Sequence, residues 1–128
     1  MNQAQSMLIH GLTRTKHVAN AALIRINDGK VLASTPGFGV HSHTQFFIDA
    51  FYKNLLHIRR NGLYFKDRDY QCVRADECAI YAKGKDNGLV AVKTKSFILI
   101  ATYTQGMYPS VCVEAVEKLA GYFREKGN

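Results

Sequence analysis

The sequence predicts an α+β domain in which an antiparallel sheet of about six or seven strands lies between helices at the two termini, with one further helix after the first hairpin. Three observations carry that reading. "ANAALIRI" (19–26) and "GKVLAST" (29–35) flank "NDG", the short-range signature of a hairpin. Five strand candidates then follow one another, around 62–66, 69–75, 78–83, 89–94 and 96–103. Finally, "PSVCVEAVEKLAGYFREKG" carries an apolar stripe at helical spacing.

Each element has its own local reason. Ala4, Met7, Leu8, Gly11 and Leu12 fall on one helical face, so residues 4–12 predict a short amphipathic helix. "PGFG" (36–39) is turn chemistry. Ser42 is placed to cap one continuous helix in which Phe46, Phe47, Ala50, Phe51, Leu55 and Ile58 recur, ending near Arg59 and Arg60. "KDRD" and "KDNG" are short connections, so the strands they join are expected to be sequential and antiparallel. "SFILIATY" (96–103) is apolar on both faces and needs cover on both sides. The last helix is expected to start at Pro109 and Ser110, to bury Cys112, Val116, Leu119 and Phe123, and to end at Gly127.

At 128 residues the chain predicts a single domain, 1–128, with a sizeable core and 47% apolar residues, which excludes a disordered chain. It has no apolar run of membrane-spanning length and no basic-then-apolar leader pattern in "MNQAQSMLIHGL". Cys72, Cys78 and Cys112 lack paired spacing, which predicts reduced thiols in a cytoplasmic protein.

The net charge is +7. Residues 1–95 hold fourteen Lys and Arg against seven Asp and Glu, an excess that favours anionic partners. Lys83, Lys85, Lys93 and Lys95 stand at two successive turns of the meander, and the reading places them together at one end or edge of the sheet. Two accounts of them stay open: ordinary solvated turn charges, or a docking face for an anionic surface.

Nothing in the sequence points to an enzyme. It holds no phosphate loop, nucleophile elbow or zinc pattern, and His41 and His43 lack a nearby third ligand, so no metal or cofactor is expected. Asp67, Asp69 and Asp76 read as turn charges, and Cys112 as inert core. "RRNGLYFKDRDY" (59–70) mixes cations and aromatics but lacks the glycine spacing of an RNA-binding strand, so no nucleic-acid partner is expected.

"ANAALIRINDGKVLASTPGF", "NGLYF", "AIYAKGKDNGLVAVKTKSFILIATY" and "PSVCVEAVEKLAGYFREKG" resemble profilin, in the family's order and over nearly the whole chain. Within the family the sequence is similar to a divergent, testis-type branch, which implies a place in spermatogenesis. The resemblance implies a non-enzymatic, monomeric, cytoskeleton-associated module with three ligand classes: actin, proline-rich segments and phosphoinositides. Polyproline would dock in an aromatic groove between the terminal helices. The matching positions here are Gln5, Leu8, Leu32, Lys118, Leu119 and Tyr122, and the chain has no tryptophan, so the groove is expected to be degenerate. The actin-facing positions align with Tyr70, Ala75, Lys93, Met107, Tyr108 and Ser110, and losing several interface residues at once weakens a complex out of range. Binding to acidic phospholipids needs only clustered cations. Lys83, Lys85, Lys93 and Lys95, joined by Arg59, Arg60 and Arg74, are the expected lipid-binding set, making only peripheral membrane contact. The alternative is a conventional actin-monomer binder that tolerates its substitutions, with actin or an actin-related protein as partner.

Overall fold

The computed structural model describes residues 2–128. Helix α1 (Gln3–Gly11) leads into β1 (Asn20–Arg25) and β2 (Val31–Ser34), then α2 (Thr44–Tyr52) and α3 (Leu55–Asn61). A meander follows: β3 (Leu63–Phe65), β4 (Arg68–Ala75), β5 (Ala79–Lys83), β6 (Gly88–Lys93) and β7 (Phe97–Tyr103); α4 (Pro109–Glu125) closes the chain. The seven strands form one antiparallel sheet in the order β2-β1-β7-β6-β5-β4-β3, so the expected α+β architecture and sequential pairing stand.

Strand β7 pairs β1 on one side and β6 on the other, with Leu99 opposite both Leu23 and Val92. Ile98, Leu99, Ile100 and Ala101 are each 0% exposed, because the sheet is covered twice. Ile98 and Ile100 meet Phe47, Phe51 and Ile58 from α2 and α3. Leu99 and Ala101 meet Leu8 from α1 and Cys112, Val116, Ala120 and Phe123 from α4. Each fully buried aliphatic side chain of this kind stabilises the fold by about 2 kcal/mol.

The single helix expected over 43–60 is two. The backbone N–H groups of Lys53 and Asn54 both donate to the Asp49 carbonyl, which ends α2, and α3 restarts after Asn54. The restart lets α3 lie along β4, with Ile58 buried. Ser42 is not the cap of α2. It lies in a 3-10 turn, Val40–His43, and its hydroxyl meets the His43 ring. Helix α4 starts at Pro109 and Ser110 as expected, with Tyr108 at its N-cap. Ala120 takes a core place on α4, and Leu119 is only half-buried.

Gly62 joins α3 to β3 with φ +74 and ψ −162, a conformation suited to glycine. A Cβ there would lie 2.0 Å from the Tyr70 carbonyl oxygen. We expect Gly62→Ala to destabilise the fold by about 3 kcal/mol and lower the melting temperature by about 10 °C, as read by thermal unfolding followed by circular dichroism. A shift of a degree or two would refute the close approach.

Candidate functional site

Hairpin connections alternate between the two ends of an antiparallel sheet, and this separates the cations that the sequence reading grouped. Lys83 pairs with Gly88 at the start of β6, whereas Lys93 is the last residue of that strand. Five residues at ~3.3 Å each place the two about 17 Å apart along the sheet. Lys83 and Lys85 thus occupy one end, and Lys93 and Lys95 the other. The expected seven-residue cluster does not exist.

The end that holds Lys93 and Lys95 gathers cations from other elements. Arg59, in the last turn of α3, donates from Nε to the Ala75 carbonyl at 2.6 Å, which brings it to the finish of β4. Arg60 is exposed beside it in sequence. Arg124 of α4 donates to the Lys93 carbonyl at 2.8 Å. The Lys93 ammonium sits 5.3 Å from the centroid of the Tyr52 ring, next to Lys53 in sequence. The turn itself is firm: Thr94 is buried, and its hydroxyl donates to the Asn128 main-chain oxygen at 2.8 Å. Lys53 and Arg124 carried no signal in the linear sequence, because only the tertiary fold brings them here.

Arg74 does not belong to this basic group. It is held by Asp76 at 2.8 Å, lies 3.8 Å from Glu117, and donates to the Tyr81 hydroxyl at 3.2 Å. Tyr81 in turn donates to Glu117, so β4, β5 and α4 are joined by one polar network. Burial first, then the hydrogen bond and charge of Glu117, push the Tyr81 hydroxyl up to about 12. The salt bridge with Arg74 holds Asp76 below the usual carboxylate range.

Of the residues expected on an actin-facing surface, Tyr70 and Ala75 are 6% and 7% exposed and point into the core beside Phe65 and Ile80. On that strand Gln71, Val73 and Arg74 face outward instead, with a bulge between Cys72 and Arg74. Tyr108 and Ser110 are exposed. Tyr108 stacks on His17 at 4.9 Å, and its backbone N–H donates to His17 Nδ1 at 2.8 Å. Met107 is half-buried and accepts from Thr104 through its sulfur.

A groove of about 690 Å³ runs between α1 and α4. Lys118, Leu119 and Tyr122 line it, as expected. Gln5, Leu8 and Leu32 do not. Leu8 is core, and Leu32 packs half-buried against the same cluster. Gln5 donates to the Ser34 carbonyl at 2.8 Å and accepts from the Ser34 N–H at 3.2 Å. The α1 side of the groove is instead Met7, His10 and Gly11, and α4 adds Val111, Glu114 and Ala115. Tyr122 and the His10 imidazole are the two flat rings among these lining residues.

His41 and His43 bind no third ligand: among the described residues no group of three His, Cys, Asp or Glu is placed to hold a metal. His43 packs edge-on to Phe65 at 5.0 Å. All three cysteines are free, and burial pushes the Cys112 thiol up to about 12.

The profilin family model matches residues 2–128. The chain is 50% identical to bovine "Profilin-4" over 129 aligned positions, covering all of both chains, and equally to the rat and mouse proteins of that name. It is 32% identical to Acanthamoeba castellanii "Profilin-2", covering 96% of this chain and 97% of that one. Among solved structures it is similar to Acanthamoeba castellanii profilin II, with TM-score 0.87 and 32% identity over 98% of this chain and 100% of that chain. Mouse profilin IIa, solved in complex with a double repeat from the FH1 domain of mDia1, shares the fold at TM-score 0.81 and 19% identity, over 99% and 100% of the two chains.

The Tyr81–Glu117 contact sets a pH dependence. The folded hydroxyl keeps its proton above the ordinary tyrosine value of 10.0, so its contribution to stability is complete below about pH 10 and is lost as pH rises toward about 12. Ultraviolet titration of wild type and Glu117→Gln checks this. One tyrosine fewer should ionise near pH 10 in wild type, and the substitution should move it down; superimposable curves would refute the contact.

Proposed function

The chain belongs to the profilin family, and on that premise we propose a profilin-type binding module that attaches to acidic phospholipids through the Lys93–Lys95 end of its sheet, with weak or absent polyproline and actin binding. Profilins are non-enzymatic, cytoskeleton-associated regulators of actin. The 50% identity to mammalian "Profilin-4" supports placing the chain in that divergent branch, and with it a role in spermatid development.

One observation carries the lipid reading: Lys53, Arg59, Arg60, Lys93 and Lys95 come from three separate elements to one end of the molecule. Asp49, 3.8 Å from Lys53, and Glu77 in the adjacent turn offset them only in part. Each cation near an anionic surface contributes about 1 kcal/mol, so the set supplies roughly 5 kcal/mol, a dissociation constant in the range of about 0.1–1 mM. Among the described residues no helix is long and apolar enough to cross a membrane, so the contact proposed is peripheral. Lys83 and Lys85 form a separate set at the far end.

The groove supports weak or absent polyproline binding, because a ligand without amide donors is held by flat rings and only Tyr122 and the smaller His10 ring offer them. Actin-monomer binding is the second reading. It draws on family membership and on exposed Tyr108 and Ser110; the buried Tyr70 and Ala75 lend it nothing.

Three experiments test these readings. In sedimentation with vesicles containing phosphatidylinositol bisphosphate, Lys93→Glu with Lys95→Glu should lower the bound fraction at least five-fold, whereas Lys83→Glu with Lys85→Glu should change it less than two-fold. Equal effects from the two pairs would dismiss the assignment to one end. On poly-L-proline resin the protein should pass unretained, and pyrene-actin assembly should be unchanged at micromolar protein; retention, or a clear lag, would return the chain to the conventional profilins.

A further inference from the structure

The surface at the α2–α3 junction combines features that charge alone does not require. Tyr52 and Leu56 are 57% and 56% exposed, four residues apart across the helix break. Leu56 projects from α3 while Ile58 of the same helix is buried, so nothing in the domain covers it. Both stand among cations: Lys53 between them in sequence, Arg59 and Arg60 on the next turn, and Lys93 over the Tyr52 ring. Asp49 is engaged with Gln45 and Lys53, and the β4–β5 turn that carries Asp76 and Glu77 adjoins Lys93, whose N–H donates to the Cys78 carbonyl; Asp76 is taken up by Arg74.

We propose that Tyr52 and Leu56 form a wedge that enters the boundary between headgroups and acyl chains of an acidic bilayer while the flanking cations hold the headgroups. The proposal rests on the lipid reading above and adds to it an apolar contact and a docking orientation. A tyrosine ring with a polar tip suits that boundary. Lysine and arginine stems lie along apolar surface and deliver their charge to phosphate. Exposed apolar side chains within a basic surface match an anionic bilayer in both respects, whereas an acidic protein face complements only the cations.

The absence of tryptophan makes the test direct. Leu56→Trp places the single indole in the wedge. Tyr64→Trp places it at an exposed site of β3, at the far end of the sheet. Both proteins are mixed with vesicles of equimolar phosphatidylserine and phosphatidylcholine, with and without brominated acyl chains. Emission from Leu56→Trp should shift to the blue and be quenched by bromine, and emission from Tyr64→Trp should do neither. Co-sedimentation with no shift in Leu56→Trp overturns the wedge and leaves the lipid reading intact. If wild type and variant both fail to sediment, the lipid reading fails and the wedge with it. A concentration-dependent blue shift without vesicles assigns the surface to a second copy of the chain and overturns the proposal. The double variant Tyr52→Ser with Leu56→Ser changes only exposed side chains. It should keep the wild-type circular dichroism spectrum and lose at least about ten-fold of the vesicle binding that survives high salt; retention of that binding also overturns the wedge.

Discussion

The whole arrangement depends on a strip of three strands buried on both faces. β1, β7 and β6 lie side by side, and from Ala21 to Ile24, Leu89 to Val92 and Ile98 to Ala101 every residue is at most 2% exposed. Such a strip demands two layers of cover. The chain supplies them by placing α1 and α4 on one face and α2 and α3 on the other. Every surface with a proposed use is a by-product of that demand. The groove is the seam where the two terminal helices meet over the sheet. The basic end is where the hairpin turns, the finish of α4 and the α2–α3 junction come out together.

The strands were legible in the sequence because their signals are local. Alternating or continuous apolar runs, broken by "NDG", "KDRD" and "KDNG", fix both existence and order. The helix break was not legible, since Asp49 accepting from both Lys53 and Asn54 is a tertiary choice that lets α3 follow β4. The turn from Lys66 to Asp67 likewise needs two positive φ values, +51 and +63, that neither residue type announces.

The candidate sites were less legible, and for two different reasons. The separation of Lys83 and Lys85 from Lys93 and Lys95 follows from the alternation of hairpin ends and was available from sequence order alone. The groove was missed on the α1 side by helix phase: Leu8 points to the core, while Met7, His10 and Gly11, on the adjoining side of the helix, line the groove with α4. Tyr70 and Ala75 were placed outward by alignment, but alternation with one bulge turns both inward. A resemblance transfers an element reliably and transfers the face of that element only when the phase is checked.

Gln5 shows a helix side chain doing the work of a strand. Strand β2 is the last in the sheet, with one row of backbone groups lacking a strand partner. The Gln5 amide meets both groups of Ser34, giving and taking one hydrogen bond as a neighbouring strand would. It acts as a one-residue imitation of an eighth strand, donated by a helix. An open sheet margin invites the margin of another molecule, and assembly of that kind grows without limit. By occupying the rung at Ser34, the first helix leaves one position fewer on that margin for the backbone of another chain to pair with.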